Sequence, residues 1–152
     1  MGRNKTKKPK LKQEPGGKKR PAAQEHSKDE DKGRYPSWRV GHMECMDEFG
    51  AWHVLDQYHL LEVRSKLASF ETMTWYEILT RDGDRNHPIS VSAMVPSAAE
   101  RLLQLKLDDH EQLISLRLTG TNRIFGIREG DSFRLLWWDP NHAICPSKLK
   151  NT

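Results

Sequence analysis

The side chains with the most evident chemistry are the cations near the N-terminus. The first 34 residues hold 12 Lys or Arg against 5 Asp or Glu, and the densest runs contain Lys7, Lys8, Lys10, Lys18, Lys19 and Arg20. Clustered cations bind RNA or DNA phosphates through the release of counterions. A merely solvating extension explains the same composition, because the segment has no aromatic side chain on which a base would stack.

The charge of the chain is unevenly distributed. The 152 residues carry a formal net charge of +4, yet residues 35–152 contain only 13 basic against 16 acidic residues. The first 34 residues are also poor in apolar side chains, so burial cannot offset their chain entropy. We therefore predict a disordered Lys-rich tail over 1–34 and a single domain over 35–152.

The sequence gives little indication of a metal site, a disulfide framework or a reactive thiol. Cys45 and Cys145 are too few for a disulfide framework, and neither is flanked by residues that would activate a thiol. His42, Cys45, His53 and His59 match no standard zinc spacing. No metal and no cofactor are expected.

The sequence also lacks the features of a membrane or exported protein. No apolar run reaches the roughly 18–20 residues that a spanning helix needs, and no apolar stretch of a signal peptide follows the N-terminal charges. With two cysteines and no export signal, a reducing cytoplasm is the expected location.

The elements that must position the candidate residues are helices early in the chain and strands late. Capping residues and apolar spacing predict helices over 56–67, with Asp56 as N-cap, over 75–79, with Thr74 as N-cap, and over 96–106. Short strands are expected over 37–42 and 51–54, joined as a hairpin, and over 89–91.

The clearest pattern lies in the C-terminal part. Three β-like runs over 113–118, 123–128 and 132–138 are separated by the short stretches TGTN and EGD, which predicts an antiparallel meander. The fold class is therefore α+β, with the N-terminal helices packed on a C-terminal antiparallel sheet of three or four strands.

Strand alternation assigns side chains to the faces of this sheet, if TGTN is a four-residue connection. Arg117 and Arg128 then share one face with small residues, and this face is expected to be open for binding. Arg123 falls on the opposite, more apolar face, and Trp137 and Trp138 point to opposite faces.

The 28-residue segment SLRLTGTNRIFGIREGDSFRLLWWDPNH resembles the C-terminal half of RelE/ParE-type toxins. In those proteins helices precede a meander with an S-x-R-aliphatic-T run, a short turn, an Arg before aliphatic and aromatic residues, and a final His or Tyr. The matching positions are Ser115, Arg117, Leu118, Thr119, Arg123, Ile124, Phe125 and His142. Through FETMTWYEI, RNHPIS and WWDPNHAICPS, the wider chain also resembles a family of small bacterial proteins.

The toxin resemblance implies a RelE-like endoribonuclease. It would cleave mRNA without a metal, usually on the ribosome, and a cognate antitoxin would neutralise it. The RNA 2′-hydroxyl would attack the adjacent phosphate. By position, Arg123 would clamp the phosphate, Arg117 would support it, and His142 would be the general acid.

Other interpretations stay open. The domain is alternatively a non-catalytic nucleic-acid or protein binding module that uses the basic tail and the exposed sheet face, with Arg128 on it. His142 is alternatively a solvated loop residue, and Arg123 is alternatively a partner of Asp131 or Asp139. His87, before Pro88, is interpreted as a turn residue, with a role in a site as the alternative. The sequence does not fix the oligomeric state.

Overall fold

A computed structural model describes residues 28–45, 50–81 and 85–146. Six of the predicted nucleic-acid-binding cations, Lys7, Lys8, Lys10, Lys18, Lys19 and Arg20, lie outside these described residues, as does most of the predicted disordered tail. The elements are the helices α1 (Lys28–Asp31), α2 (Gln57–Glu71), α3 (Trp75–Thr80) and α4 (Pro96–Gln104), the 3-10 turns Trp52–Val54 and Val91–Ala93, and the strands β1 (Ser37–Arg39), β2 (His87–Ser90), β3 (Gln112–Arg117), β4 (Arg123–Glu129) and β5 (Ser132–Asp139).

The strands form one mixed sheet in the order β1-β5-β4-β3-β2. β2 to β5 pair antiparallel, and β1 pairs parallel with β5. The α+β class and the C-terminal meander are confirmed, but the sheet has five strands and is not purely antiparallel. The expected hairpin between 37–42 and 51–54 is wrong. Trp52 instead buries its ring and donates from Nε1 to the Leu136 carbonyl at 3.1 Å, which holds its segment as a 3-10 turn.

Two helices begin where their capping residues predict. The Asp56 carboxylate accepts from the His59 backbone N–H at 2.9 Å at the start of α2. Thr74 and Glu77 form a reciprocal capping box at the start of α3. Helix α2 runs to Glu71, four residues beyond its predicted end.

Helices cover both faces of the sheet. On one face α2 and α3 contribute Val63, Phe70, Trp75 and Ile78 to a core with Leu116, Ile124, Phe133, Leu135 and Trp138. On the other face α4 contributes Ala98 and Leu102 to a second core with Leu113, Phe125, Ile127, Leu136 and Trp137. The opposite orientation of Trp137 and Trp138 is confirmed, whereas the expectation of a wholly open sheet face is wrong.

The folded part begins before the predicted boundary at residue 35. Asp31 of α1 is buried and accepts two hydrogen bonds from the Arg128 guanidinium, at 2.5 and 3.1 Å. Arg128 also lies over the Trp75 ring, 4.7 Å from its centroid. Arg34 pairs with Asp131 at 3.1 Å. Residues 28–34 are therefore tied to the meander rather than being part of a disordered tail.

No helix in the described ranges has both the length and the apolar character needed to cross a bilayer.

Candidate anion-binding site

The register of the meander brings together two arginines that alternation had separated. β3 and β4 pair Arg117 with Arg123, so the connection between them is the five residues 118–122. This is one residue more than assumed, and a slip of one residue moves a strand's side chains to the opposite face. Arg117 and Arg123 are therefore direct cross-strand partners on the same face, and the predicted face assignment is wrong.

A β-bulge shifts the register between β4 and β5. The pairing of β4 with β5 shifts between Phe125 and Gly126, so that Leu136 and Trp137 both enter the core under α4. Gly126 is required there, because a Cβ atom would lie 2.2 Å from the Arg134 carbonyl oxygen. The bulge leaves Asp139 directly opposite Arg123 at the end of β5.

A pocket of about 280 Å³ lies at this end of the sheet. Its lining is dominated by cations and imidazoles, and consists of Arg85, His87, Ile89, Arg117, Arg123, His142, Cys145 and Pro146. All three residues predicted to be catalytic, Arg117, Arg123 and His142, are in this set. The structure thus places together residues that are up to 61 positions apart in the chain.

Asp139 positions His142. The buried Asp139 carboxylate accepts from the backbone N–H groups of Ala143 at 3.0 Å and Ile144 at 2.9 Å, which fixes the turn after β5. His142 lies in this turn with a φ of 54°, in the left-handed region that residues other than glycine rarely adopt. Unusual backbone conformations of this kind concentrate at functional sites.

Asn86 positions the other side of the pocket. Its buried side chain accepts from the Arg117 backbone N–H at 2.9 Å and donates to the Ile78 carbonyl at 3.1 Å. It therefore ties β3 to α3 and fixes the segment that carries Arg85 and His87. Nη1 of Arg123 makes only a contact of 3.5 Å to the Gly120 carbonyl, at the limit of a hydrogen bond.

The pocket has an excess of positive charge. Within the described part of the chain, the ion-paired arginines are Arg34, Arg101, Arg128 and Arg134. Burial, and then the nearby Arg117, lower the pKa of Arg123, and Asp139 opposes this only in part. Burial, and then Arg123, lower the pKa of His142 below its usual value of 6.5. The lowered pKa favours the neutral form of the His142 imidazole.

Several functional candidates were missed or misplaced at the level of sequence. Arg85, His87 and Cys145 line the pocket, although His87 had been interpreted as a turn residue. The pairing of β2 with β3 in the structure identifies His87, because it places His87 opposite Ser115, two residues from Arg117. Arg128 lies five residues from Arg123, at the other end of β4, and its charge is already paired with Asp31.

The described residues contain no group of three or more His, Cys, Asp or Glu side chains arranged to hold a metal ion. Comparisons with protein-family models, curated proteins and solved structures find no match for this chain.

Proposed function

We propose that this protein binds RNA phosphates in the arginine-lined pocket and acts as a RelE-like, metal-independent endoribonuclease. The observation that carries the proposal is the direct pairing of Arg117 with Arg123 on one face of the sheet, at the wall of a pocket. A cytoplasmic location, the ribosome as the setting and a cognate antitoxin as the inhibitor belong to the same proposal.

The Arg117–Arg123 pairing is unfavourable in itself, and Asp139 opposite Arg123 offsets it only in part. Directly opposite residues in an antiparallel sheet have Cβ atoms about 4.5–5.5 Å apart, and like charges at such positions destabilise the sheet. A phosphodiester between the two guanidiniums reverses the sign of that interaction. Guanidinium groups also match phosphate oxygens with two parallel hydrogen bonds, which a point charge cannot do. The pocket is thus built for an anion of this shape.

The same groups suit cleavage next to a 2′-hydroxyl. Arg117 and Arg123 would stabilise the extra negative charge that develops on the phosphate oxygens. His142, whose pKa burial and then Arg123 lower, would accept the proton of the 2′-hydroxyl. This assigns His142 as general base rather than as the general acid that the toxin resemblance implies.

A second candidate is a binding module without catalysis. It is favoured by the acidic balance of residues 35–152, with 13 basic and 16 acidic residues, which weakens long-range attraction to a large RNA surface. In this case the pocket would hold one phosphate group and the basic tail would supply further contacts. Arg128, which belonged to the predicted binding face, would not contribute, because its side chain is only 7% exposed.

Induction of the full chain in bacterial cells separates the two candidates. The chain and the control Arg64→Gln, which removes an exposed charge on α2, should arrest growth and leave mapped cuts in mRNA. Arg123→Gln and His142→Ala should do neither while folding normally. Intact mRNA, together with RNA binding that depends on Arg123, would favour the binding module. Intact mRNA without such binding would refute both.

A further inference from the structure

The pocket contains a second imidazole besides that of His142. His87 is the first residue of β2, the edge strand of the sheet, and its Cα pairs with Ser115 of β3. Its side chain is exposed and lines the pocket. His142 lines the same pocket from the turn after β5.

The order of these groups follows the order of the strands. Moving across the sheet from β2 to β4, the pocket presents His87, then Arg117, then Arg123, and His142 joins them from the turn that follows β5. Neighbouring strands lie about 4.8 Å apart, so β2 and β5 are separated by about 14 Å. The two imidazoles therefore reach the pocket of the arginine pair from different elements, His87 from β2 and His142 from the turn after β5.

Cleavage of a phosphodiester requires both a proton acceptor and a proton donor. The attacking and leaving oxygens lie roughly in line on opposite sides of the phosphorus. The group that removes a proton from the nucleophile and the group that protonates the leaving oxygen must therefore also lie on opposite sides. A single histidine in this pocket cannot do both in one step.

We propose that His87 is a catalytic residue and the general acid of the reaction, paired with His142 as the general base; the inference rests on the proposed function. His142 accepts the proton of the ribose 2′-hydroxyl as the 2′-oxygen forms a bond to phosphorus. The bond from phosphorus to the 5′-oxygen breaks, and protonated His87 gives its proton to that oxygen. The products are a 2′,3′-cyclic phosphate and a 5′-hydroxyl, with both protons and charge conserved.

Leaving-group chemistry tests the assignment directly. A 5′-bridging phosphorothiolate RNA has a sulfur leaving group, which departs as a thiolate without protonation. On ordinary RNA, His87→Ala in the purified full chain should lower the cleavage rate by about 10²–10⁴-fold. On the phosphorothiolate substrate it should recover most of that loss, whereas His142→Ala should not. His42→Ala, an exposed histidine in a surface turn, is the matched control.

The outcomes distinguish this inference from the proposed function. If His87→Ala cleaves ordinary RNA like the unaltered protein, His87 is not the general acid, although the nuclease proposal stands. Recovery by His142→Ala instead of His87→Ala would reverse the two roles and overturn the assignment. If the unaltered protein cleaves neither substrate, the nuclease proposal fails and His87 has no catalytic role.

Discussion

Arg123 and Arg128 lie at opposite ends of the same strand and have opposite surroundings. Arg128 donates to Asp31 with two hydrogen bonds and stacks on the Trp75 ring, so its charge is satisfied within the fold. Arg123 is paired across the sheet with Arg117 and lines a pocket. Arg128 thus holds the N-terminal helix to the meander through an ion pair with Asp31. Arg123 instead has a second cation, Arg117, as its cross-strand neighbour on β3.

The difference gives a physical criterion for separating structural from ligand-binding arginines. A guanidinium that is desolvated without an anion is unfavourable, and an adjacent guanidinium makes it worse. Burial, and then the nearby Arg117, lower the pKa of Arg123, which is the direction expected from this cost. Substitution of Arg128 should therefore lower the stability of the fold, whereas substitution of Arg123 should lower its function.

The largest expected effect is on stability at the Arg128 end. Arg128→Ala leaves the buried Asp31 carboxylate without its partner and should lower the free energy of unfolding by about 3–5 kcal/mol. Chemical denaturation of the full chain measures this loss. Asp31→Asn should destabilise in the same direction, and the double variant should cost less than the sum of the two. A loss below about 1 kcal/mol, as for an exposed pair, would contradict the structural role.

At the other end, Arg123→Gln should affect function rather than stability. It removes one of the two guanidiniums of the proposed phosphate clamp, so cleavage of RNA should fall by about 10²–10³-fold. The free energy of unfolding should stay the same or rise, since the repulsion with Arg117 is relieved. Steady-state kinetics and denaturation, each beside Arg64→Gln, measure the two quantities. A strongly destabilised variant would show that Arg123 is structural too.

The bulge that joins the two ends should be sensitive to a single methyl group. Gly126→Ala places a Cβ atom 2.2 Å from the Arg134 carbonyl oxygen and 2.4 Å from the Phe133 ring. Overpacking of this kind costs about 1–3 kcal/mol, measurable by chemical denaturation. Gly41→Ala is a suitable control, because a Cβ atom there has nothing within 4 Å. Equal stability of the two variants would contradict the close packing at the bulge.

A smaller loss is expected at the start of α3. Thr74→Ala removes the side-chain oxygen that accepts from the Glu77 backbone N–H and should destabilise the protein by about 1 kcal/mol. Thr74→Ser keeps that acceptor and should restore most of the loss in a thermal or chemical unfolding experiment. Failure of the serine variant to do so would assign the effect to packing of the threonine methyl group.

The smallest expected change is a shift in titration. Arg123→Gln removes a cation that disfavours protonation of His142, so the pKa of His142 should rise toward 6.5. NMR titration of the His142 ring signals reports this directly. Arg134→Gln, which removes an arginine paired with Glu129, should leave that pKa unchanged. A fall in the His142 pKa after Arg123→Gln would contradict the assigned electrostatics.

Local signals in the sequence identified much of this fold. Asp56 and Thr74 cap α2 and α3 because capping depends on residues within one turn, and short glycine-containing connections specify the meander. The pairing of β1 with β5 joins residues 95 positions apart, and the Asp31–Arg128 ion pair joins residues 97 apart. No local pattern encodes contacts of that range.

The site was only partly predictable for a related reason. Arg117, Arg123 and His142 were identified by resemblance, but their shared pocket depends on one extra residue in the 118–122 connection. That residue decides which face Arg123 occupies. His87 became recognisable only through the pairing of β2 with β3.

The central claim is that the Arg117–Arg123 pair binds RNA phosphate. The most direct test is the affinity of the purified full chain for a short single-stranded RNA, measured by fluorescence anisotropy over a range of salt concentrations. The double variant Arg117→Gln/Arg123→Gln should bind RNA at least tenfold more weakly. The slope of the logarithm of its affinity against the logarithm of the salt concentration should be shallower by about one. The control Arg64→Gln/Arg81→Gln, which removes two exposed charges, should retain both properties. Equal affinity and equal salt dependence in the two double variants would contradict the claim.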